Sequence, residues 1–178
     1  GKFEDYPVDK WSDALIKLLK QTDDKLVCLF LEDYWLIRPA SRIVVPKAIL
    51  DDHTALIRFD LTSDTIGSKK PKRLYSLDGY DIFERTDPQY SFSLQAAVWN
   101  RKLLLDVLVP GETPWQVELN GSDRLNKKDY RVFGTAQWPV MYTIAVNKGV
   151  LDKTGDWMQP SRTLSKNDWV ELEREFGI

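Results

Sequence analysis

The stretch from Lys25 to Ile37 constrains the fold of this chain more than any other part of the sequence. It reads KLVCLFLEDYWLI, an almost unbroken apolar run that carries two acids, Glu32 and Asp33, in its second half. Such a run, after a helix-like segment, is typical of a buried central strand in an α/β sheet. Because open α/β sheets bind ligands beyond the carboxyl ends of their strands, the pattern predicts that Glu32 and Asp33 face a ligand crevice.

Composition predicts a single α/β domain over residues 1–178. The chain is 43% hydrophobic and 29% charged, which suits one sizeable core better than two. Its one cysteine, Cys28, lies inside the apolar run and is expected to be a small core residue in a reducing compartment. No signal peptide or membrane-spanning run is recognised, so a cytoplasmic location without an integral membrane segment is expected.

The charge pattern argues against nucleic acid as a partner. The formal net charge is -2, and basic residues are scattered apart from one short cluster around Pro71. Two interpretations of that cluster stay open, a solvated loop and a loop that contacts phosphate. Its members are Lys69, Lys70, Lys72 and Arg73.

Periodicity and turn signals predict a mixed central sheet flanked by helices, with the acid-bearing strand inside it. Helical spacing of Trp11, Leu15 and Leu19 predicts a first helix, and an Asp78-Gly79 turn predicts a hairpin. The block from Gly111 to Leu125 is rich in turn formers and is expected to be a loop that carries binding residues. Further predictions are helices over 40–50, 101–109 and 166–176, and strands over 54–61, 73–75, 81–85, 90–99, 132–133 and 140–146.

The order of five motifs resembles a group of bacterial and phage glycosyltransferase-like proteins that have the GT-A fold of nucleotide-diphospho-sugar transferases. The resemblance covers nearly the whole chain, and its most specific parts are EDYW and the SLQ...W...GE.PW...GS series. The motifs are WSD at Trp11, LFLEDYWL at Leu29, SLQAAVWN at Ser93, PGETPWQVELNGSDR at Pro110 and IAVNKGVL at Ile144.

This resemblance implies transfer of a sugar from a nucleotide-sugar donor to a saccharide acceptor. Glu32 and Asp33 would hold a divalent metal, Mn or Mg, which stabilises the charge of the departing diphosphate. A carboxylate would take the proton of the acceptor hydroxyl in an inverting enzyme. By motif order, Glu118 is the first candidate for this base and Glu112 the second.

Four further residues are candidates for substrate contact. Trp99 and Trp115 are candidate platforms for the apolar face of a sugar, and Gly121 with Ser122 could offer backbone N–H groups to a phosphate. Each has a purely structural alternative: core or lid packing for the tryptophans, and a simple turn for Gly121-Ser122. Acids after a strand also commonly cap backbone donors or meet solvent, so that alternative stays open for Glu32 and Asp33.

Two features depart from the GT-A pattern. The usual motif is Asp-x-Asp, whereas Glu32 and Asp33 are adjacent and should point to opposite faces of an extended chain. The fold normally supplies several βα units before this motif, whereas here there is room for one helix. The chain begins with Gly rather than Met, which leaves upstream sequence open. The chain is therefore expected to be either a fragment that lacks part of the N-terminal nucleotide-binding half or a reduced form of the fold. In either case the isolated chain could be inactive as an enzyme.

Two alternative functions stay open. One is a noncatalytic carbohydrate- or nucleotide-binding module, and the other is a structural or partner-binding domain.

Overall fold

The computed structural model describes residues 7–31, 34–36, 49–50, 54–62, 64–137, 139–140, 142–144, 146–147, 150–151, 170 and 174. Within these ranges the protein is a mixed α/β structure with three α-helices and a six-stranded mixed sheet. The helices are α1 (Trp11–Leu19), α2 (Arg101–Val107) and α3 (Pro114–Lys127), and a 3-10 turn, Val8–Lys10, precedes α1. The strands are β1 (Leu26–Leu29), β2 (Tyr34–Leu36), β3 (Leu56–Asp60), β4 (Lys72–Leu77), β5 (Tyr80–Glu84), β6 (Ala97–Asn100), β7 (Arg131–Thr135), β8 (Tyr142–Ile144), β9 (Val146–Asn147) and β10 (Val150–Leu151).

The main sheet has the strand order β1-β6-β3-β7-β5-β4. Its β3 and β7 strands run parallel, and the other neighbouring pairs are antiparallel. The described part of the chain also contains two small antiparallel pairs, β2 with β8 and β9 with β10. The predicted hairpin is confirmed, since β4 and β5 pair around the Asp78-Gly79 turn.

The two faces of the sheet are covered differently. All three described helices contribute to one buried cluster, which includes Leu15 of α1, Leu104 of α2 and Val117 of α3 and packs against Trp99 of the sheet. The opposite face carries a second cluster in which Tyr34 of β2 and Tyr142 of β8 stack at 4.3 Å between ring centroids. The three helices named above thus cover one face, while the β2–β8 pair and the helical residues Ile49 and Leu50 lie on the other.

The single central strand predicted from Lys25 to Ile37 is wrong. The run contains two strands. Among the described strands β1 pairs with β6 alone, at the edge of the main sheet, and β2 belongs to a separate pair. Cys28 on β1 is exposed, which corrects the expected core position. An apolar run gives no information about which other strands pair with it, so its periodicity alone does not separate an edge strand from a central one.

The loop predicted from Gly111 to Leu125 is also wrong, because most of it is α3. Thr113 caps this helix: its hydroxyl accepts a hydrogen bond from the Gln116 N–H at 3.2 Å, and the Gln116 side chain accepts one from the Thr113 N–H at 2.9 Å. This reciprocal capping box, with Pro114 in the first turn, starts a helix efficiently. Asn100 similarly caps α2 by accepting from the Leu103 N–H at 3.2 Å.

The remaining element predictions have mixed outcomes. The first helix, the β3 strand and the α2 helix agree with the structure, whereas the strand expected over 90–99 begins only at Ala97. The helix over 40–50 and the closing helix over 166–176 lie almost wholly outside the described residues. None of the described helices has the length and apolar character that crossing a lipid bilayer requires.

Candidate functional site

The strongest concentration of buried charge lies at the carboxyl ends of the parallel strands β3 and β7. Arg58 and Asp60 of β3 pair with Trp99 and Ala97 of β6, which belong to the cluster beneath the helices. Cross-strand partners share a face of the sheet, so both charged side chains point towards the helices. We call the group that they form with Asp64, Thr65 and Arg85 the Arg58 cluster.

Arg58 is the centre of this cluster and has no solvent exposure. Its Nε lies 2.6 Å from Oδ1 of Asp60, and its Nη2 donates to Oδ2 of Asp64 at 3.0 Å. Nη1 donates to the backbone carbonyl of Ser93 at 2.9 Å, and the guanidinium lies 5.4 Å from the centre of the Trp99 ring. A buried charge is tolerated when it is paired and hydrogen-bonded in this way.

Asp60 is held by Arg58 and Thr65. The Thr65 hydroxyl donates to Oδ2 of Asp60, on the same carboxylate that Arg58 contacts. Gly134 of β7 makes this arrangement possible, because a Cβ at that position would lie 2.7 Å from Cβ of Thr65. Complete burial raises the pKa of Asp60, against the lowering effect of Arg58.

Arg85 ties the cluster to neighbouring loops. It donates from Nη1 to the backbone carbonyl of Asp64 at 3.1 Å and from Nη2 to that of Gln89 at 2.6 Å. Burial lowers the pKa of Arg85, with Asp64 acting in the opposite direction. The Asp64 side chain is 25% exposed, so it is the member of the Asp60–Arg58–Asp64 chain that reaches solvent.

One face of α3 binds the irregular segment 88–94. Glu118, Ser122 and Asn126 follow each other at intervals of four residues and therefore form one polar stripe along the helix. Oε1 of Glu118 accepts from the Leu94 N–H at 2.8 Å, and Oγ of Ser122 accepts from the Phe92 N–H at 2.9 Å. The Asn126 side chain donates to the Pro88 carbonyl at 2.9 Å and accepts from the Ser91 hydroxyl at 3.0 Å.

Glu118 combines this structural contact with proton-accepting chemistry. Burial raises the pKa of Glu118, and the hydrogen bond from Leu94 and the charge of Arg58 oppose that rise. Within the described residues, its second oxygen, Oε2, has no hydrogen-bond partner. A half-buried carboxylate with a raised pKa and a free oxygen can act as a general base.

Glu112, the second candidate for the base, is occupied by an ion pair. Arg124 contacts both of its carboxylate oxygens, at 2.9 and 2.7 Å, and the Asn120 amide donates to Oε1 at 2.8 Å. Burial acts to raise the pKa of Glu112, but the hydrogen bonds from Arg124 and Asn120 bring it below its ordinary value. This geometry fixes the start of α3 and leaves Glu112 poorly suited to accept a proton.

The other predicted substrate residues lie in three different environments. Trp99 is fully buried against Phe92, with ring centroids 4.7 Å apart, whereas Trp115 is 67% exposed on α3. Gly121 and Ser122 do not form a turn: both are buried within α3, and a Cβ on Gly121 would lie 2.9 Å from the Phe92 ring. The structure therefore brings Glu118, Gly121, Ser122 and Trp99 together around segment 91–94, with Glu112 in a separate ion pair and Trp115 on the surface.

Glu32 and Asp33, the predicted metal ligands, lie outside the described residues. Their chain neighbours are described: the Tyr34 N–H donates to the Leu31 carbonyl at 3.1 Å. The Tyr34 hydroxyl in turn reaches the Leu94 carbonyl at 3.5 Å, beside the Tyr142 ring. Tyr142 donates to the Gln95 side chain, and burial, followed by the neighbouring Tyr34, raises the pKa of Tyr142.

The described part of the chain contains no group of three or more histidine, cysteine, aspartate or glutamate side chains that could hold a metal ion. Carboxylate oxygens suit Mn and Mg chemically, so Glu32 and Asp33 stay candidate ligands by residue type alone.

Sequence reasoning missed Arg58, Asp60 and Asp64. The sequence feature that could have identified them is LIRFDL at Leu56, where Arg58 and Asp60 interrupt an otherwise apolar segment. Their spacing of two residues places both on one face of a strand. In comparisons with known proteins, no family model, curated protein or solved structure matches this chain.

Proposed function

We propose that this chain is a glycosyltransferase-like domain that transfers a sugar from a nucleotide-sugar donor to a saccharide acceptor with the help of a divalent metal. The observation that carries the proposal is the convergence on Leu94. Its N–H is bound by Glu118, and its carbonyl is reached by the Tyr34 hydroxyl, on the residue that follows Asp33 in the chain. Glu118 and Tyr34 thus contact the N–H and the carbonyl of the same residue, which supports a site that uses both Glu118 and the acids before Tyr34.

Glu118 is the proposed base. An acceptor hydroxyl that donates to Oε2 would lose its proton to the carboxylate as it attacks the donor sugar, and partial burial keeps the pKa of Glu118 raised for this task. Arg58 and Asp64 lie near enough to affect that pKa in opposite directions. The Arg58 cluster would therefore set both the position of segment 93–94 and the charge that surrounds the base.

Glu32 and Asp33 are the proposed metal ligands. Bound there, Mn or Mg would neutralise the charge that develops on the departing diphosphate. Trp115 is the proposed acceptor platform, because it is exposed and lies three residues before Glu118, on a neighbouring part of the helix surface. Glu112 is no longer a candidate for the base in this proposal.

A noncatalytic carbohydrate- or nucleotide-binding module is the second candidate. The observation that favours it is the use of Glu118 as a backbone anchor for Leu94, a contact that a purely structural carboxylate would also make. A partner-binding role ranks third and draws support from the exposed Leu18, Phe30 and Trp115 side chains.

The test measures donor binding in the wild type and in variants of the proposed metal ligand Asp33 and the proposed base Glu118. Thermal unfolding of this chain, and of the full-length gene product, is measured with Mn²⁺ and a panel of nucleotide sugars, since a ligand that binds the folded state raises Tm. Asp33→Asn is expected to abolish the metal-dependent rise. Glu118→Gln keeps an acceptor for the Leu94 N–H, so it is expected to retain donor binding while transfer falls by about 100-fold or more, as for loss of a general base.

Asp123→Asn is the matched control, because Asp123 is an exposed acid on the same helix. It should leave both donor binding and transfer unchanged. If no nucleotide sugar shifts Tm in the presence of metal, the transferase proposal fails; if donors bind but Glu118→Gln transfers sugar at the wild-type rate, Glu118 is not the base.

A further inference from the structure

A concave site lies at the far end of the α3 polar stripe from Glu118. It is a pocket of about 280 Å³ between the loop after β5 and the carboxyl end of α3. We call it the Asp129 pocket. Its polar lining includes Arg85, Asp87, Ser91, Asn126, Asp129 and Tyr130, and Leu125 and Val132 supply apolar surface.

Asp129 is an unusual residue for its position. It follows the C-cap residue Lys128 of α3 and has a φ of 54°. That position normally carries glycine, because a side chain is strained in the left-handed region. A negative charge at the carboxyl end of a helix is also disfavoured by the helix dipole. Aspartate tolerates the left-handed region better than most side chains do, so the unexplained property of Asp129 is its negative charge at the carboxyl end of the helix.

The carboxylate of Asp129 has no ion pair and accepts no hydrogen bond within the described part of the chain. The other polar groups of the pocket are held in place by protein contacts. Asn126 and Ser91 hydrogen-bond to each other, and Asp87 accepts from the Gln89 N–H at 3.0 Å. The pocket thus combines a fixed polar wall with one free acceptor.

The mixture of groups suits a sugar ring. Free carboxylate oxygens can accept from neighbouring hydroxyls, and Asn126 and Arg85 each retain N–H groups beyond the contacts they already make. A pocket of 280 Å³ is slightly smaller than the roughly 300–1,000 Å³ of sites for drug-sized ligands, which favours a single ring. Opposite charges in the lining disfavour a simple anion or cation.

We propose that the Asp129 pocket is a saccharide subsite that binds one pyranose unit of the acceptor through hydroxyl contacts to Asp129. Asn126 follows Glu118 by eight residues, so the pocket lies about 12 Å along the helix from the proposed base. An extended saccharide can reach both places. That the bound saccharide is the acceptor rests on the proposed function. Binding of a saccharide in the pocket requires neither donor nor metal.

The test measures the binding of methyl glycosides of glucose, galactose, mannose, N-acetylglucosamine and glucuronic acid by saturation-transfer NMR and calorimetry. No nucleotide or metal is added. At least one neutral glycoside is expected to bind, and Asp129→Asn should weaken it about tenfold, as for loss of a hydrogen bond to a charged group. Asp129→Gly should abolish binding while leaving Tm unchanged or higher, because glycine relieves the backbone strain.

Asp78→Asn is a closely matched control. Asp78 is also an exposed aspartate with a positive φ, 48°, but it lies in the β4–β5 turn. Its substitution should not affect glycoside binding. If no glycoside binds, or if Asp129→Asn binds as tightly as the wild type, the subsite is refuted. A metal-dependent Tm rise with nucleotide sugars would in that case leave the proposed transferase function standing.

Discussion

Two regions of this protein combine an aspartate, an arginine and a hydroxyl side chain in opposite environments. In the Arg58 cluster, Asp60 contacts Arg58 at 2.6 Å and accepts from the Thr65 hydroxyl. In the β4–β5 hairpin, Asp81 contacts Arg73 at 2.8 Å and accepts from the Ser76 hydroxyl at 2.6 Å. We call the second group the hairpin triad.

The two groups differ in their exposure to solvent. The side chains of Arg58 and Asp60 are completely buried, whereas those of Arg73 and Asp81 are 58% and 39% exposed. Burial raises the pKa of Asp60 despite its cation, while hydrogen bonds from Ser76 and Arg73 lower the pKa of Asp81. The same kinds of contact, from an arginine and a hydroxyl, therefore leave the charged carboxylate favoured on the surface and disfavoured in the interior.

The comparison indicates which ion pair positions other parts of the protein. Surface pairs contribute little and are easily replaced, whereas a buried pair contributes through the groups that it holds in place. Arg58 reaches the Ser93 carbonyl, next to the residue that binds Glu118. The Arg58 cluster is thus suited to fix the segment on which the proposed site depends.

The largest effect is expected from Arg58→Met. Removing one partner of a buried ion pair leaves an uncompensated charge and typically costs about 3–5 kcal/mol of the free energy of unfolding. Asp60→Val should cost less, because Asp64 still pairs with Arg58 at 3.0 Å. The double variant should recover much of that loss, because apolar replacement of both partners of a buried pair is often neutral. Urea unfolding monitored by tryptophan fluorescence measures all three.

Arg73→Met in the hairpin triad is the control and should barely move the urea midpoint. Comparable losses in Arg58→Met and Arg73→Met would remove the distinction between the two regions. A double variant that loses the sum of the two single losses would mean that Arg58 and Asp60 do not act as a pair.

A smaller effect is expected from Gly134→Ala. The new Cβ would lie 2.7 Å from Cβ of Thr65 and 3.2 Å from Cβ of Asp60, so the cluster must shift. Overpacking of this kind typically costs about 1–3 kcal/mol. Measured in a Thr65→Gly background, where the first contact is absent, the same substitution should cost clearly less. Equal costs in the two backgrounds would show that Thr65 does not limit the space at Gly134.

Local patterns predicted much of the fold. The spacing of Trp11, Leu15 and Leu19 predicted α1, and the Asp78-Gly79 turn predicted the β4–β5 hairpin. The α3 helix was missed although its start signal, Thr113 with Gln116, was present in the sequence, because Pro114 and Gly121 were interpreted as turn formers. Pro114 suits the first turn of a helix, and Gly121 is required where the helix touches Phe92.

Long-range contacts account for what the sequence did not predict. The apolar run at Val27 is an edge strand because its one partner in the sheet is β6, about seventy residues later, and nothing within the run specifies that. Likewise, Arg58 and Asp60 were visible as charges in a strand, but their burial depends on Thr65 and on the Ser93 carbonyl. Glu118 was identified from motif order, and its contact with Leu94 emerged only from packing.

The smallest effect, and the finest test of the comparison, is the pH dependence at Asp81. Because its pKa is lowered in the folded state, its contribution to stability is present above the unfolded pKa and is lost as pH falls through the folded pKa. Asp60, whose pKa is raised, behaves oppositely: its contribution is present below the unfolded pKa and is lost as pH rises through the folded pKa. Relative to the wild type, Asp81→Asn should therefore lose stability as pH rises through the acid range, whereas Asp60→Asn should gain, whatever constant offset each amide introduces. Urea midpoints collected at closely spaced acidic pH values give both slopes, and slopes of the same sign would show that burial does not set the opposite behaviour of the two carboxylates.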